Sequence, residues 1–330
     1  MLLGRSVFYL WMPLVKSNYK SPFWLRNPHL ATIIPSTFRK VEGVNYERER
    51  IRTSDDDFLD LDWIRNNSKR LVLISHGLEG SSDRPYILGM AKYMSMNRFD
   101  VLAWNCRSCS GEINKQARFY HHGATDDLET VIDHVLQTND YDSIVLVGFS
   151  MGGSLTIKYL GEKEDRPSII KVGVAFSIPV SLKSSVDMLT YSKTGFYKKR
   201  FLRKLEEKVK TKAATYPGLI EYDGFDDIKE FEDFDNRYTA PLHGFKDAED
   251  FYQKASAGNF IAQVSRPLLV CNAINDPFLG EPCYPYDMAI DHKFIHLETP
   301  KYGGHVGFSM RNSEFNYMEK RALEFIEEKS

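Results

Sequence analysis

The chain has 330 residues, of which 42% are hydrophobic, and a formal net charge of −2. That balance argues against a nucleic-acid partner, while the apolar content suffices for a large core. Four cysteines, at 106, 109, 271 and 283, are too sparse for a disulfide framework and fit a reduced, cytoplasmic setting.

In chain order, residues 7–15 form a short apolar run behind Arg5 that contains Pro13. It is too short to cross a bilayer and no small-residue cleavage site follows, so neither export nor anchoring is expected. Met12 offers an alternative start. Residues 1–43, with the aromatic, proline-punctuated stretch 21–35, are expected to form an arm laid over the main body, either packing on it or lining a substrate channel. Two β-rich runs between 44 and 65 flank the turn cluster Thr53-Ser54-Asp55-Asp56-Asp57 and predict a hairpin.

Strand and helix then alternate. Strands are expected at 71–75, 99–104, 143–147 and 169–177, and helices at 85–96, 126–137 and 151–160. Pro85 suits a first helical turn, and Thr125 or Asp126 is placed to cap the next helix, with Glu129 completing a capping box if Asp126 is the cap. Such alternation predicts a mostly parallel sheet with helices on both faces. From 179 to 265 strand signals fade and charges come in blocks, basic around Lys198–Lys212 and acidic around Asp223–Asp235. A helical cap insertion is expected there. Its basic stretch could draw an anionic lipid or a phosphate-bearing substrate, although the plainer expectation is two solvated surfaces that partly balance. The core resumes with strands at 267–273 and 294–297 and closes with an amphipathic helix over 313–328, its inner face carrying Phe315, Met318, Ala322, Phe325 and Ile326. The core is thus expected over 44–178 and 266–330.

The chemistry centres on Gly148-Phe149-Ser150-Met151-Gly152, at the junction of an apolar strand and a helix. This is the G-x-S-x-G nucleophile elbow, a strained turn that exposes its serine. Gly148 and Gly152 keep the two positions that flank Ser150 small, so that strand and helix can pass each other. A serine hydroxyl needs an imidazole base, and the imidazole needs a carboxylate. Asp276 stands at the end of a core strand and His305 in a glycine-flanked loop before the last helix, which gives the chain order Ser, acid, His. Asp187 is the reserve acid. Two amides must hold the oxyanion, and those of Met151 and Leu78 are the candidates. Cys106-x-x-Cys109 and the pair His121 and Asp126 are weaker signals, the aspartate being read as a helix cap. No phosphate loop or dinucleotide fingerprint is present, and neither a cofactor nor a metal is expected.

The segments His76-Gly77-Leu78-Glu79-Gly80, Asn105-Cys106-Arg107, Tyr120-His121-His122-Gly123, the elbow, Asn275-Asp276-Pro277-Phe278 and Gly303-Gly304-His305-Val306-Gly307-Phe308 together resemble the YheT-like branch of the α/β-hydrolase superfamily. Arg26-Asn27-Pro28-His29-Leu30 is similar to the start of those proteins. Ser108, where glycine is usual, and His122, where serine is frequent, are the departures. The resemblance implies an α/β-hydrolase fold and a serine hydrolase of carboxylic esters. The expected activity is cleavage of short- to medium-chain acyl esters through an acyl-enzyme. The alternatives are acyl transfer to an alcohol, thioester cleavage, or a binding protein that has lost turnover. A transient lipid-surface contact through the cap is a further expectation.

Overall fold

The computed structural model describes residues 14–192 and 195–330. Met12 and all of the early apolar run except Leu14 and Val15 lie outside them. The described residues form one nine-stranded sheet of order β1-β9-β8-β7-β6-β4-β5-β3-β2. Its strands are β1 (Leu14–Val15), β2 (Glu47–Arg52), β3 (Phe58–Ile64), β4 (Arg70–Ser75), β5 (Asp100–Asn105), β6 (Ser143–Phe149), β7 (Ile170–Phe176), β8 (Leu268–Cys271) and β9 (Ile295–Glu298). β2 pairs antiparallel with β3, and β3 with β5; the remaining pairs are parallel. The expected hairpin is therefore the antiparallel edge of a mixed sheet. β4, β6 and β7 are almost wholly buried, as continuous apolar strands covered on both faces must be. In β3 the mixed pattern separates by face. Leu59, Leu61 and Trp63 enter the core, while the buried Asp60 and Asp62 accept from Arg50 and Arg48 of β2 at 2.7 Å each.

Helices α1 (Pro28–Phe38), α2 (Pro85–Met96), α3 (Thr125–Thr138) and α4 (Met151–Gly161) sit on this frame. Pro85 opens α2 as expected. The start of α3 differs: Ala124 is its N-cap, and no side chain caps it. Asp126 pairs instead with Arg118 at 2.7 Å, and Glu129 bonds Lys163 and Arg166, because ion pairs outside the helix claim both carboxylates. The last helix begins at Tyr317 rather than at 313. Asn316 and Glu319 form its capping box, which places Phe315 outside the helix, packed on Tyr93 at 4.7 Å. Met318, Ala322, Phe325 and Ile326 are buried as their spacing predicts.

The arm does more than lie on the surface. Leu14 and Val15 add a parallel strand beside β9, and Phe23–Leu25 and α1 then cross toward the C-terminal ends of the strands. Between β7 and β8 the described residues form helices and turns, chiefly α5 (Leu182–Thr190), α6 (Phe196–Thr215) and a helix at Ala248–Ala255. The expectation of solvated charge blocks holds only in part. Lys198 pairs with Glu230, joining the two blocks, but Lys212 is buried and donates to the carbonyls of Asn114 and Gln116. Burial lowers its pKa to about 8.

One buried ion cluster ties the sheet edge to the loops above it. Arg107, with its side chain fully enclosed, donates to Asp57 at 2.8 Å, Asp55 at 2.9 Å and Asp127 at 2.7 Å. It joins the hairpin turn, the loop after β5 and the first turn of α3. Beside it Ser108 takes φ 62°, a conformation that favours glycine, and its hydroxyl donates to Asn114 at 2.6 Å.

Candidate active site

Ser150 sits between β6 and α4 at φ 53° and ψ −117°, a strained backbone for a residue with a Cβ. Its own amide donates to the Phe176 carbonyl at 2.9 Å, and its carbonyl accepts from Ser154 at 3.1 Å, so both neighbouring elements hold the turn. A Cβ at Gly148 would collide with the backbone of Gly152, as the crossing of strand and helix requires. A Cβ at Gly152 would instead strike the carbonyl of Ser75, so that glycine makes room for the end of β4 and not for β6. Because that obstacle is backbone, Gly152→Ala is expected to destabilise the fold by about 2–3 kcal/mol, read from a denaturant midpoint. An unchanged midpoint would contradict the packing described.

Asp276 is buried after β8, and His305 lies on the loop after β9. His305 Nδ1–H donates to Asp276 at 2.9 Å, and the Ser150 hydroxyl donates to His305 Nε2 at 3.0 Å. The three residues expected from their order thus form one hydrogen-bonded row. Phe278 stacks on the imidazole at a centroid distance of 4.1 Å, and its amide donates to Asp276 at 2.9 Å. The loop is fixed from three sides: the His305 amide donates to Thr32 of α1, the Val306 amide to Ser177, and the Gly304 amide to Asn275. Its glycines serve the arm. A Cβ at Gly304 or Gly307 would run into Ala31, so α1 can lie against the loop only because both lack one. Thr32 and Ser177 have no motif that marks them, and Phe278, though it closes the Asn275–Phe278 segment, carries no sign in sequence that its ring stacks on His305.

Leu78 lies in the loop after β4, which passes directly against Ser150, since a Cβ at Gly77 would stand 3.1 Å from the serine Cβ. Within this loop the amides of Gly77, Glu79 and Gly80 are engaged, by Tyr86, Tyr120 and the Gly77 carbonyl. Among the described residues the Leu78 amide alone of these four has no acceptor, as an oxyanion donor requires. Met151 opens α4, where the first amides of a helix are free. His76 braces the loop: its Nδ1–H donates to the Gly77 carbonyl at 2.7 Å, and its Nε2 accepts from the Cys106 amide at 3.1 Å. Burial lowers its pKa to about 4, so it stays neutral in this role.

The remaining candidates fall elsewhere. Asp187 pairs with Lys183 at 2.7 Å on α5. His121 stacks edge-on against His243 at 4.7 Å and does not meet Asp126. Cys106 and Cys109 are buried thiols whose pKa burial raises, and Lys208 donates to Cys109. A cavity of about 220 Å³ opens beside Ser150 and His305 and is lined by Leu78, Phe119, Leu189, Phe201 and Phe234, with Thr32 and Ile33 of the arm at one side. Lining the cavity and packing on the body are therefore both roles of the arm.

A nine-stranded mixed sheet, a serine on a strained strand-to-helix turn and an acid and a histidine on the two following loops define a class. The chain belongs to the α/β-hydrolase family, whose description as an alpha/beta hydrolase fold matches residues 70–299. It is 28% identical over 288 residues to the Escherichia coli (strain K12) protein named "Putative esterase YheT", covering 86% of this chain and 84% of that one. With Phospholipase ABHD3 of Mus musculus it shares 26% identity over 332 residues, covering 96% of this chain and 79% of the relative. Among solved structures the Pyrococcus furiosus esterase Pf2001 superposes with a TM-score of 0.57 at 18% identity, covering 88% of this chain and 98% of that one, a likeness of fold. The coarse class is that of the esterase and lipase hydrolases.

Proposed function

We propose that the chain hydrolyses carboxylic esters of short- to medium-chain acyl groups through an acyl-enzyme on Ser150. The hydrogen-bonded row from Ser150 through His305 to Asp276 carries this reading. In it, His305 Nε2 takes the serine proton as Oγ attacks the ester carbonyl. Asp276 holds the Nδ1–H tautomer and stabilises the cation that forms. The amides of Met151 and Leu78 receive the oxyanion, His305 then protonates the leaving alcohol, and water attacks the acyl-enzyme by the same route. The small, aromatic-lined cavity suits an acyl chain of limited length. The 179–265 segment serves as the cap that closes over it. Among the described residues no helix is long and apolar enough to cross a membrane.

A fluorophosphonate probe is expected to label Ser150, as located by peptide mass spectrometry. p-Nitrophenyl esters from C2 to C12 are expected to turn over with an optimum below C12. If neither labelling nor turnover occurs at any chain length, the hydrolase reading fails. Ethanol added as acceptor, with ethyl esters assayed, measures how the acyl-enzyme divides between water and alcohol.

A further inference from the structure

Helix α6 presents two rows to the cavity, each at a spacing of four residues: Tyr197, Phe201 and Leu205, and beside them Arg200, Lys204 and Lys208. The second row is three of the eight cations in the 198–212 stretch that sequence alone assigns to solvent. Lys208 is accounted for, since its ammonium pairs with Glu79 at 2.7 Å. The others are not. Lys204 donates to the main-chain carbonyl of Glu79 at 3.2 Å, and Arg84 donates to that same carbonyl at 2.7 Å. Arg200 lines the cavity, and its guanidinium makes no hydrogen bond or ion pair among the described residues.

Four cations therefore meet one carboxylate on this wall. The cavity's other carboxylate, Asp235, is already engaged by the hydroxyls of Thr239 and Tyr252. Half-buried cations without counter-charge are costly unless a ligand supplies it. Mutual crowding is visible at Lys204, whose pKa is lowered by burial first and then by Arg84. The wall also adjoins Leu78, whose amide is assigned to the oxyanion, since the carbonyl that Lys204 and Arg84 share belongs to the next residue, Glu79, and Ser150 lines the same cavity.

We propose that Arg200, Lys204 and Arg84 form a subsite for a phosphate group carried by the ester substrate. Three converging cations, two of them guanidinium groups able to bind two oxygens at once, favour phosphate over a single carboxylate. The proposal rests on Ser150 being the nucleophile only for the placement of the ester; the subsite itself can be read without turnover.

The test uses the full-length Ser150→Ala protein, with octyl phosphate, octanoate and octanol as probes in titration calorimetry. Octyl phosphate is expected to bind about tenfold or more tightly than octanol, and more weakly as salt rises. Arg200→Ala with Lys204→Ala in that background should erase the difference, whereas Lys199→Ala, on an exposed position of the same helix, should keep it. Equal binding of octyl phosphate and octanol, or a preference that survives the double substitution, overturns the subsite. Octanoate binding as tightly as the phosphate overturns the choice of phosphate. In catalysis, 1-octanoylglycerol 3-phosphate should exceed 1-octanoylglycerol in kcat/KM by a similar factor, chiefly through KM. Turnover of the neutral ester without that preference would leave the hydrolase reading intact and remove this one. Phosphate-selective binding with no turnover of any ester would do the reverse.

Discussion

Ser150→Ala is expected to lower kcat on a p-nitrophenyl ester by about 10⁴-fold or more while leaving the fold intact. Among the described residues the substitution removes the one oxygen hydrogen-bonded to His305 Nε2, at 3.0 Å, and with it the atom that would bond to the acyl carbon. The imidazole, Asp276 and the loop amides stay in place, so the residual rate reports what binding and the oxyanion donors contribute alone. KM should move little, because the hydroxyl makes little contact with bound ester before attack. Circular dichroism and a denaturant midpoint confirm that the loss is chemical. A fall of less than about tenfold would place the nucleophile elsewhere and would leave the strained turn at Ser150 without a purpose.

Arg107→Leu is expected to destabilise the fold by about 3–5 kcal/mol. The leucine would leave Asp57 and Asp127, both buried, without their shared cation. In the wild type, burial would raise the pKa of Asp55, but hydrogen bonds from Arg107 and Thr53 outweigh it and hold the group at about 2. A carboxylate lowered in this way contributes stability that is present above its unfolded value and lost as pH falls toward 2. Asp127 has the opposite sign: burial raises its pKa even beside Arg107. Without the guanidinium it rises further, so the folded variant binds a proton that the unfolded chain releases. Stability of the variant should therefore improve as pH is lowered from 8 toward 5, narrowing its gap to the wild type. Urea midpoints across that range check this; a gap that is constant or widens on acidification would show that the carboxylates do not depend on Arg107.

The sequence carries the sheet and the row Ser150, His305 and Asp276 well, because both are written locally. Continuous apolar runs mark β4, β6 and β7. The glycines around Ser150 and His305 reflect real collisions; Gly148 meets the nearby Gly152, but Gly152 meets Ser75 and Gly304 and Gly307 meet Ala31, obstacles that no local pattern reveals. What escapes is whatever is set by partners distant in the chain. β1 is two residues long and has no period to detect. Asp126 has the look of a cap, yet Arg118 claims it. The basic stretch of α6 looks solvated because hydropathy marks lysine and arginine for water. Whether such a side chain turns inward depends on carbonyls and a carboxylate about a hundred residues upstream, at Glu79, Asn114 and Gln116.

The hydrogen bond from the His305 amide to the Thr32 hydroxyl spans 273 positions, and the hydrogen bond between His305 and Ser150 spans 155. Time enters through these separations. As the chain is synthesised, the elbow and its strained serine can form while the base does not yet exist, and the arm has nothing to lie against until the loop after β9 emerges. A nascent chain that ends before this loop would carry Ser150 without its hydrogen bond to His305. The row from Ser150 to Asp276 is thus among the later contacts to form, and it is complete only when the arm and the loop after β9 have met.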